Sequence, residues 1–289
     1  MIEELLTKKF GSGALYTWRK IKRNRNIKVG FIFLGIFLII SLFPWAFSVY
    51  DPYKGDLKES FSPPSFEHPF GTDYLGRDLL SRVLWGARTS LIIAMLGVLL
   101  ASTLGTLIGT ISGYYKGKLD YIIMRVVDVM LAFPDFLLAL FIIAVTGPGL
   151  WNVILAIAFY NFPQFVRISR GSTLAIREMD YVEAAKALGE KDFSIIFKYI
   201  LPNSLSPVIV HFTLRLGASI LTAAGLSFLG LGVQPPTPDW GLMLNEALTY
   251  LSFAPYMWVF PGIFLIMTVI GLNLTGDGLN DVLNPRVRE

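Results

Sequence analysis

Few residues of this chain have the types and spacing that enzyme chemistry requires. The 289 residues include no cysteine, and His68 and His211 are the only histidines. Two imidazoles without a thiolate supply too few ligands for an ordinary zinc site. The sequence also lacks H-E-x-x-H, the G-x-S-x-G elbow of hydrolases and the G-x-x-x-x-G-K-[ST] loop that binds ATP phosphates. We therefore predict no catalytic residue, no metal site and no cofactor bound by this chain.

Three charged side chains stand in strongly apolar surroundings. Asp128 and Asp135 lie near the start of one long apolar segment, and Arg215 lies within another. From the helix rise, Arg215 is about 18 Å from one end of its segment, and Asp135 lies at a similar depth. A charge at that depth is costly unless it is paired or faces water. We expect an Arg215–Asp135 ion pair, a position on a hydrated pathway, or an Arg215 side chain that reaches the lipid headgroups.

The composition identifies the elements that must position these groups. Apolar residues make up 54% of the chain and charged residues only 16%, where about 25% is typical. Several stretches of about 20 residues or more have no charge, which is enough to cross a bilayer. The sequence therefore predicts an all-α polytopic membrane protein. Its six transmembrane helices are expected at 29–49, 89–114, 124–146, 150–167, 204–231 and 255–275.

Lysine and arginine set the expected orientation. With both termini in the cytoplasm, nineteen of the 25 basic residues lie inside, five lie outside and Arg215 is in a span. The predicted organisation is a basic cytoplasmic tail at 1–28, a first span at 29–49, an extracytoplasmic loop at 50–88, a five-helix core at 89–275 with a cytoplasmic loop at 168–202, and a cytoplasmic tail at 276–289.

The second span has a stripe of small residues at intervals of four. A stripe of this kind lets another backbone approach closely. It favours an internal helix contact, with a partner subunit or a pathway lining as the alternative. The stripe consists of Gly97, Ala101, Gly105, Gly109 and Gly113.

The 168–202 loop is too polar to span a membrane, yet it has a helical pattern. Asp180 and Glu183 form a capping box that predicts a helix start, and Gly189 suits a left-handed stop. One face of this helix combines small and large side chains: Tyr181, Ala184, Ala185 and Leu188. The alanine pair leaves room for a close neighbour.

A second short helix is predicted at Phe193–Leu201, with Asp192 as its cap and Pro202 as its end. The loop is then helix–Gly–helix, placed between two spans on the inner side. A rigid helix pair in this position is suited to transmit a push.

These residues resemble a known family. Glu183-Ala184-Ala185, followed by Gly189 and by Leu201-Pro202, is similar to the EAA loop of binding-protein-dependent ABC importer permeases. His68-Pro69-Phe70-Gly71-Thr72-Asp73 with Gly76-Arg77-Asp78 resembles the outer-loop signature of the dipeptide, oligopeptide and nickel permeases. The segments 227–232 and 276–281 add to this likeness, which is closest to the second, C-type, peptide permease.

The resemblance implies a type I ABC importer permease in a prokaryotic plasma membrane. Its partners would be a second homologous permease, two cytoplasmic ATPases that hold ATP and Mg²⁺, and an extracytoplasmic solute-binding protein, with no nucleic acid. The ATPase contact would comprise Glu183, Ala184, Ala185, Gly189, Leu201 and Pro202. The expected solutes are di- or oligopeptides, and nickel or another small solute is the alternative.

A secondary transporter driven by an ion gradient is the alternative from a different class. Such transporters tend to have internal repeats and acidic residues near the bilayer midplane. This chain has no convincing repeat, and only Asp128, Asp135 and Arg215 are available for such a role.

Overall fold

The computed structural model describes residues 25–283, which are predominantly helical and include no β-strand. Most of the predicted tail at 1–28 and the end of the tail at 276–289 lie outside this range. The helices are α1 (Arg25–Leu42), α2 (Pro44–Phe47), α3 (Leu79–Tyr115), α4 (Gly117–Leu131), α5 (Asp135–Thr146), α6 (Leu150–Ile176), α7 (Asp180–Ala187), α8 (Asp192–Phe228), α9 (Trp240–Leu248) and α10 (Tyr256–Leu283).

Three described helices are long and apolar enough to cross a membrane: α3, α8 and α10. The pair α4 and α5 adds a fourth crossing if it is counted as one bent span. The predicted spans 29–49 and 150–167 fall on α1 and α6. The apolar part of α1 is short, and polar side chains such as Asn161 and Gln164 lower the hydropathy of α6.

The predicted span 124–146 is not one continuous helix. It breaks between Leu131 and Asp135, and the axes of α4 and α5 differ by 91°. Pro134 lies in the break, where it has no N–H to donate and disfavours helical geometry in the preceding residue. Asp135 therefore starts a new helix, whose dipole favours a negative charge.

The small-residue stripe of α3 packs against α6, in the most extensive helix contact of the described fold. A Cβ added at Gly97 would lie 2.5 Å from Ile157 Cγ2, and one at Gly105 would lie 2.6 Å from Phe165 Cβ. Any larger side chain would push the two helices apart. The stripe is thus an internal contact.

Pro202 does not end a helix, contrary to the sequence prediction, because α8 runs without a break over 37 residues. A π-helical segment, Ile195–Ile200, precedes the proline, and Leu201 N donates to Ile196 O five residues back. This wider turn accommodates a residue that cannot donate a backbone hydrogen bond. The second part of the 168–202 loop and an apolar span are therefore one helix.

Buried apolar side chains of the described residues form three clusters. The large middle cluster joins α1, α3, α5, α6, α8, α9 and α10, and it includes Ile157 and Trp240. A second cluster around Leu79 and Met243 holds α9 against the start of α3. The third surrounds Val182 and fixes the 168–202 loop to the bundle.

Candidate functional site

The helix–Gly–helix element is present in the 168–202 loop, but its caps differ from the prediction. Met179 and Lys191 occupy the N-cap positions of α7 and α8, and neither side chain makes a capping hydrogen bond. The predicted capping roles of Asp180 and Asp192 are therefore wrong. Both acids lie in first turns, where the helix dipole still favours a negative charge.

The turn between α7 and α8 has the geometry expected of a glycine stop. Gly189 has φ +77°, in the left-handed region that glycine enters without steric cost. Glu190 N donates to Ala185 O at 3.1 Å, which satisfies a carbonyl at the end of α7.

One side of α7 is anchored to the bundle. Val182 is fully buried and Ala185 is 5% exposed, and both pack in the cluster that includes Tyr114 at the end of α3. Tyr114 Oη donates to Asp192 Oδ1 at 2.6 Å, and Arg177 Nη1 donates to Gly113 O at 3.4 Å. The loop is therefore held rigidly against α3.

The other side of the loop is open and apolar. Four of its large exposed side chains, which we call the open loop surface, are Tyr181 (43% exposed), Leu188 (86%), Phe193 (71%) and Phe197 (44%). The rings of Phe193 and Phe197 lie 4.5 Å apart. Large apolar side chains exposed on a polar loop are typical of a protein interface.

The six predicted contact residues divide between these two sides. Glu183, Ala184, Gly189 and Pro202 are exposed, Leu201 is half-buried and Ala185 is buried. Only Ala184 of the alanine pair is thus accessible to a partner.

A polar cluster lies inside the helical bundle. Arg215 Nη2 donates to Asp135 Oδ2 at 2.8 Å, and Arg215 Nε donates to Asn161 Oδ1 at 2.5 Å. The guanidinium also lies over the ring of Tyr160, 5.5 Å from its centroid. These contacts join α5, α6 and α8 at one point.

A second layer of hydrogen bonds supports this cluster. Asn161 Nδ2 donates to Ser219 Oγ at 3.0 Å, and the hydroxyls of Tyr160 and Ser219 are 3.1 Å apart. Gln164 Nε2 donates to Asp135 Oδ2 at 3.3 Å. Sequence reasoning missed Asn161 and Gln164, although two amides three residues apart in an apolar helix were an available signal.

Asp128 does not join this cluster. It lies on α4, before the break, where Arg167 Nη2 donates to Asp128 Oδ1 at 2.7 Å. Both side chains are about half exposed. The structure thus separates the two acids that the sequence had grouped.

A buried charge network, not predicted from the sequence, ties the 50–78 segment to α9. Arg82 Nη2 donates to Glu246 Oε2 at 3.0 Å, and Arg77 Nε donates to Asp73 Oδ2 at 2.7 Å. Arg82 Nε lies 3.3 Å from the same Asp73 oxygen, and the arginines are at most 3% exposed. Buried charges persist only when paired in this way. The available signal was Glu246, the sole charge in α9.

His68 forms a second ionic contact in the same region. Its Nδ1 is 2.9 Å from Asp78 Oδ1, and its Nε2 is 3.3 Å from Glu59 Oε2. Burial lowers the pKa of His68, but the hydrogen bonds and charges of Asp78 and Glu59 outweigh it and raise the pKa above its ordinary value. Asp78 also accepts the N–H of Ser81 at 2.7 Å and so caps α3.

The membrane-length helices, the open loop surface and the polar cluster within the bundle define a helical membrane permease. Residues 105–289 match the family described as the inner membrane component of binding-protein-dependent transport systems, and residues 15–64 match the N-terminal transmembrane domain of oligopeptide transport permease C. The chain belongs to this family. It is a multi-pass inner-membrane permease of an ABC importer.

Curated relatives cover nearly the whole chain. The glutathione transport system permease protein GsiD of Pectobacterium atrosepticum is 42% identical over 272 residues, which are 94% of this chain and 90% of that protein. GsiD of an Escherichia coli strain is 43% identical with the same coverage. A chain of the inward-facing MetNI methionine ABC transporter has a TM-score of 0.56 at 19% identity, over 71% of this chain and 96% of that chain. This last likeness concerns the fold.

Proposed function

We propose that this permease forms half of a translocation pathway, with a second homologous permease as the other half. The proposed topology has six spans and cytoplasmic termini. A helix at five of the six predicted positions, and the bent pair α4 and α5 at 124–146, support the span count. The excess of basic residues on one side supports the orientation.

Two ATPase subunits dock beneath the pair of permeases, one of them on the open loop surface of this chain, and supply the energy. They hold ATP and Mg²⁺ and hydrolyse the nucleotide, while this chain binds neither. The observation that carries this proposal is the continuity of α8, which places Phe193 in the open loop surface and Arg215 in the polar cluster of the bundle on one helix. Nucleotide binding shifts the conformation because the ATPases prefer one arrangement of the permeases.

The polar cluster lies on the pathway. The side chain of Asp135 is 40% exposed, although Arg215 beside it is only 15% exposed. A charged group that faces hydrocarbon costs on the order of 3 kcal/mol. The open side of Asp135 therefore faces the aqueous cleft between the two permeases, and the break at Pro134 sets its position.

The solute is a short peptide such as glutathione, received from an extracytoplasmic binding protein. The glutathione permeases among the relatives support this class of solute. A peptide carries both an ammonium and a carboxylate. Asp135 offers a negative charge to the ammonium, and Arg215 offers a positive charge to the carboxylate.

Uptake into proteoliposomes tests this proposal. The chain is co-expressed with a second homologous permease, two ATPases and a binding protein, and the complex is reconstituted without an ion gradient. We expect labelled glutathione or a labelled dipeptide to accumulate only when the ATPases are supplied with ATP and Mg²⁺.

Uptake that needs a proton or sodium gradient and ignores ATP would overturn the importer mechanism. ATP-driven uptake of nickel alone would overturn the peptide assignment and leave the importer mechanism standing. A Walker A lysine variant of the ATPase is the matched control, because it leaves this chain unchanged.

A further inference from the structure

Arg88 on α3 has aromatic neighbours and, within the part of the chain that the structure describes, no acidic one. Its guanidinium carbon is 5.9 Å from the ring centroid of Trp45 and 5.8 Å from that of Trp85. Among the side chains described between residues 28 and 282, none forms a hydrogen bond or ion pair with it. The other arginines of that range each have a polar partner. Arg88 thus presents five N–H donors without an acceptor.

The position of Arg88 along α3 places it at the edge of the hydrocarbon layer. No charge follows it between Thr89 and Tyr115, and about 20 helical residues cross the bilayer core. Before it, Leu79 and Val83 are buried in the cluster beneath α9. The two tryptophans beside Arg88 are typical of the membrane interface.

An apolar track begins below Arg88. Ile92, Met95 and Leu99 continue the same face of α3 at intervals of three and four, and they are 37%, 38% and 47% exposed. From Arg88 to Leu99 the helix rises about 16 Å, which is close to half of a bilayer core of about 30 Å. The track therefore has the length of one lipid leaflet.

We propose that Arg88, with Trp45 and Trp85, binds the phosphate of a membrane glycerophospholipid whose acyl chain lies along Ile92, Met95 and Leu99. Guanidinium and phosphate match as a two-pronged hydrogen-bonded pair. The tryptophan rings hold the guanidinium by cation–π attraction and leave its N–H edge open. A second protein helix would fill the apolar track, but it would also have to place an acceptor beside Arg88, which every glycerophospholipid supplies in its phosphate.

Lipid binding by the intact co-expressed transporter tests this proposal. Native mass spectrometry measures retention of phosphatidylglycerol by the wild type, Arg88→Gln and Arg88→Lys. Loss of a charged hydrogen bond should weaken the tightest lipid site about tenfold or more in Arg88→Gln. Lipid retention by Arg88→Lys should lie between that of the wild type and that of Arg88→Gln. Lysine keeps the positive charge but cannot form the two-pronged hydrogen-bonded pair with phosphate. Arg125→Gln is the matched control, since Arg125 also lies over an aromatic ring, that of Tyr121 at 5.2 Å.

Photolabelling of the wild type covers the case in which Arg88→Gln fails to assemble. Phosphatidylglycerol with a diazirine at mid-chain should label the peptide that contains Met95. Equal lipid retention by wild type and Arg88→Gln, or a crosslink from that track to the second permease, would overturn the proposal. Displacement of the lipid by millimolar inorganic phosphate would also overturn it, because the site would then bind a dissolved anion.

Discussion

Replacing Leu188 should uncouple the ATPases from this permease without unfolding it. Leu188 is the most exposed side chain of the open loop surface, at 86%. Burying a leucine side chain in a partner contributes about 1.5–3 kcal/mol. Since nearly all of that side chain is available for burial, Leu188→Ala should weaken ATPase docking roughly ten- to hundredfold.

Pull-down of the ATPase by the detergent-solubilised permease, titrated with free ATPase, measures this affinity directly. Peptide-stimulated ATP hydrolysis by the reconstituted complex should fall in parallel. Leu57→Ala is the matched control, because Leu57 is 72% exposed in the segment that we place on the opposite side of the membrane. It should leave docking unchanged.

Wild-type affinity of Leu188→Ala for the ATPase would refute this role of Leu188, as would an equal loss of docking in Leu57→Ala. A drop in thermal stability of Leu188→Ala would also contradict the structure, which gives this side chain almost no internal contact. Val182→Ala should behave in the opposite way, since Val182 is fully buried. It should destabilise the loop itself.

Three further predictions concern the ionic contacts. Arg215→Asp and Asp135→Arg should each lower permease stability in detergent by about 1–3 kcal/mol. The loss is moderate because the Asp135 side chain is partly exposed. Combining the two substitutions should recover most of the lost stability. Additive losses in the double variant would contradict the Arg215–Asp135 ion pair. Arg82→Met leaves Glu246 with Tyr74 Oη at 3.2 Å and Arg77 Nη2 at 3.8 Å as its remaining partners. It should cost on the order of 3 kcal/mol in a thermal unfolding assay, whereas a neutral result would contradict the network. Because folding raises the pKa of His68, protonated His68 contributes to the free energy of unfolding. This contribution is complete below the pKa of the unfolded chain, about 6.5, and is lost as pH rises through the pKa of the folded state. Wild-type stability should therefore fall relative to His68→Gln between about pH 6 and pH 8, and parallel curves would refute this sign.

Sequence patterns predicted the apolar segments and the Arg215–Asp135 ion pair, but not the other side-chain partners of these groups. Charge-free length indicated the spans, and equal depth brought Asp135 and Arg215 into the same hypothesis. The contribution of Asn161 depends on which face of α6 meets α8, and no local pattern in the sequence defines that face. The sequence shows that Asn161 is polar, but it does not show that Arg215 lies beside it.

Backbone details near proline were the least predictable. Pro134 breaks the predicted third span, whereas Pro202 lies within a continuous helix. The difference arises from the residues before each proline, because Ile195–Ile200 widen into π-helical geometry and absorb the missing hydrogen bond. Ile195 and Ile200 at the two ends of this segment are both fully buried, and such packing is not encoded in local propensity.

The buried network at Asp73, Arg77 and Arg82 illustrates the same limit. Its acidic and basic residues are close in sequence, and this pattern is also typical of a solvent-exposed loop. The partner that completes it, Glu246, is 164 residues from Arg82 along the chain. Long-range pairing of this kind follows from the fold and not from local spacing.

The unbroken course of α8 also sets a mechanical scale. Phe193 and Arg215 are 22 residues apart, or about 33 Å along the axis at about 1.5 Å per residue. With this lever arm, a tilt of about 5° moves one end by roughly 3 Å relative to the other. That stroke is as long as the 2.8 Å contact between Arg215 and Asp135. A small rotation beneath the membrane is therefore enough to open or close that ion pair without refolding any segment between the two ends.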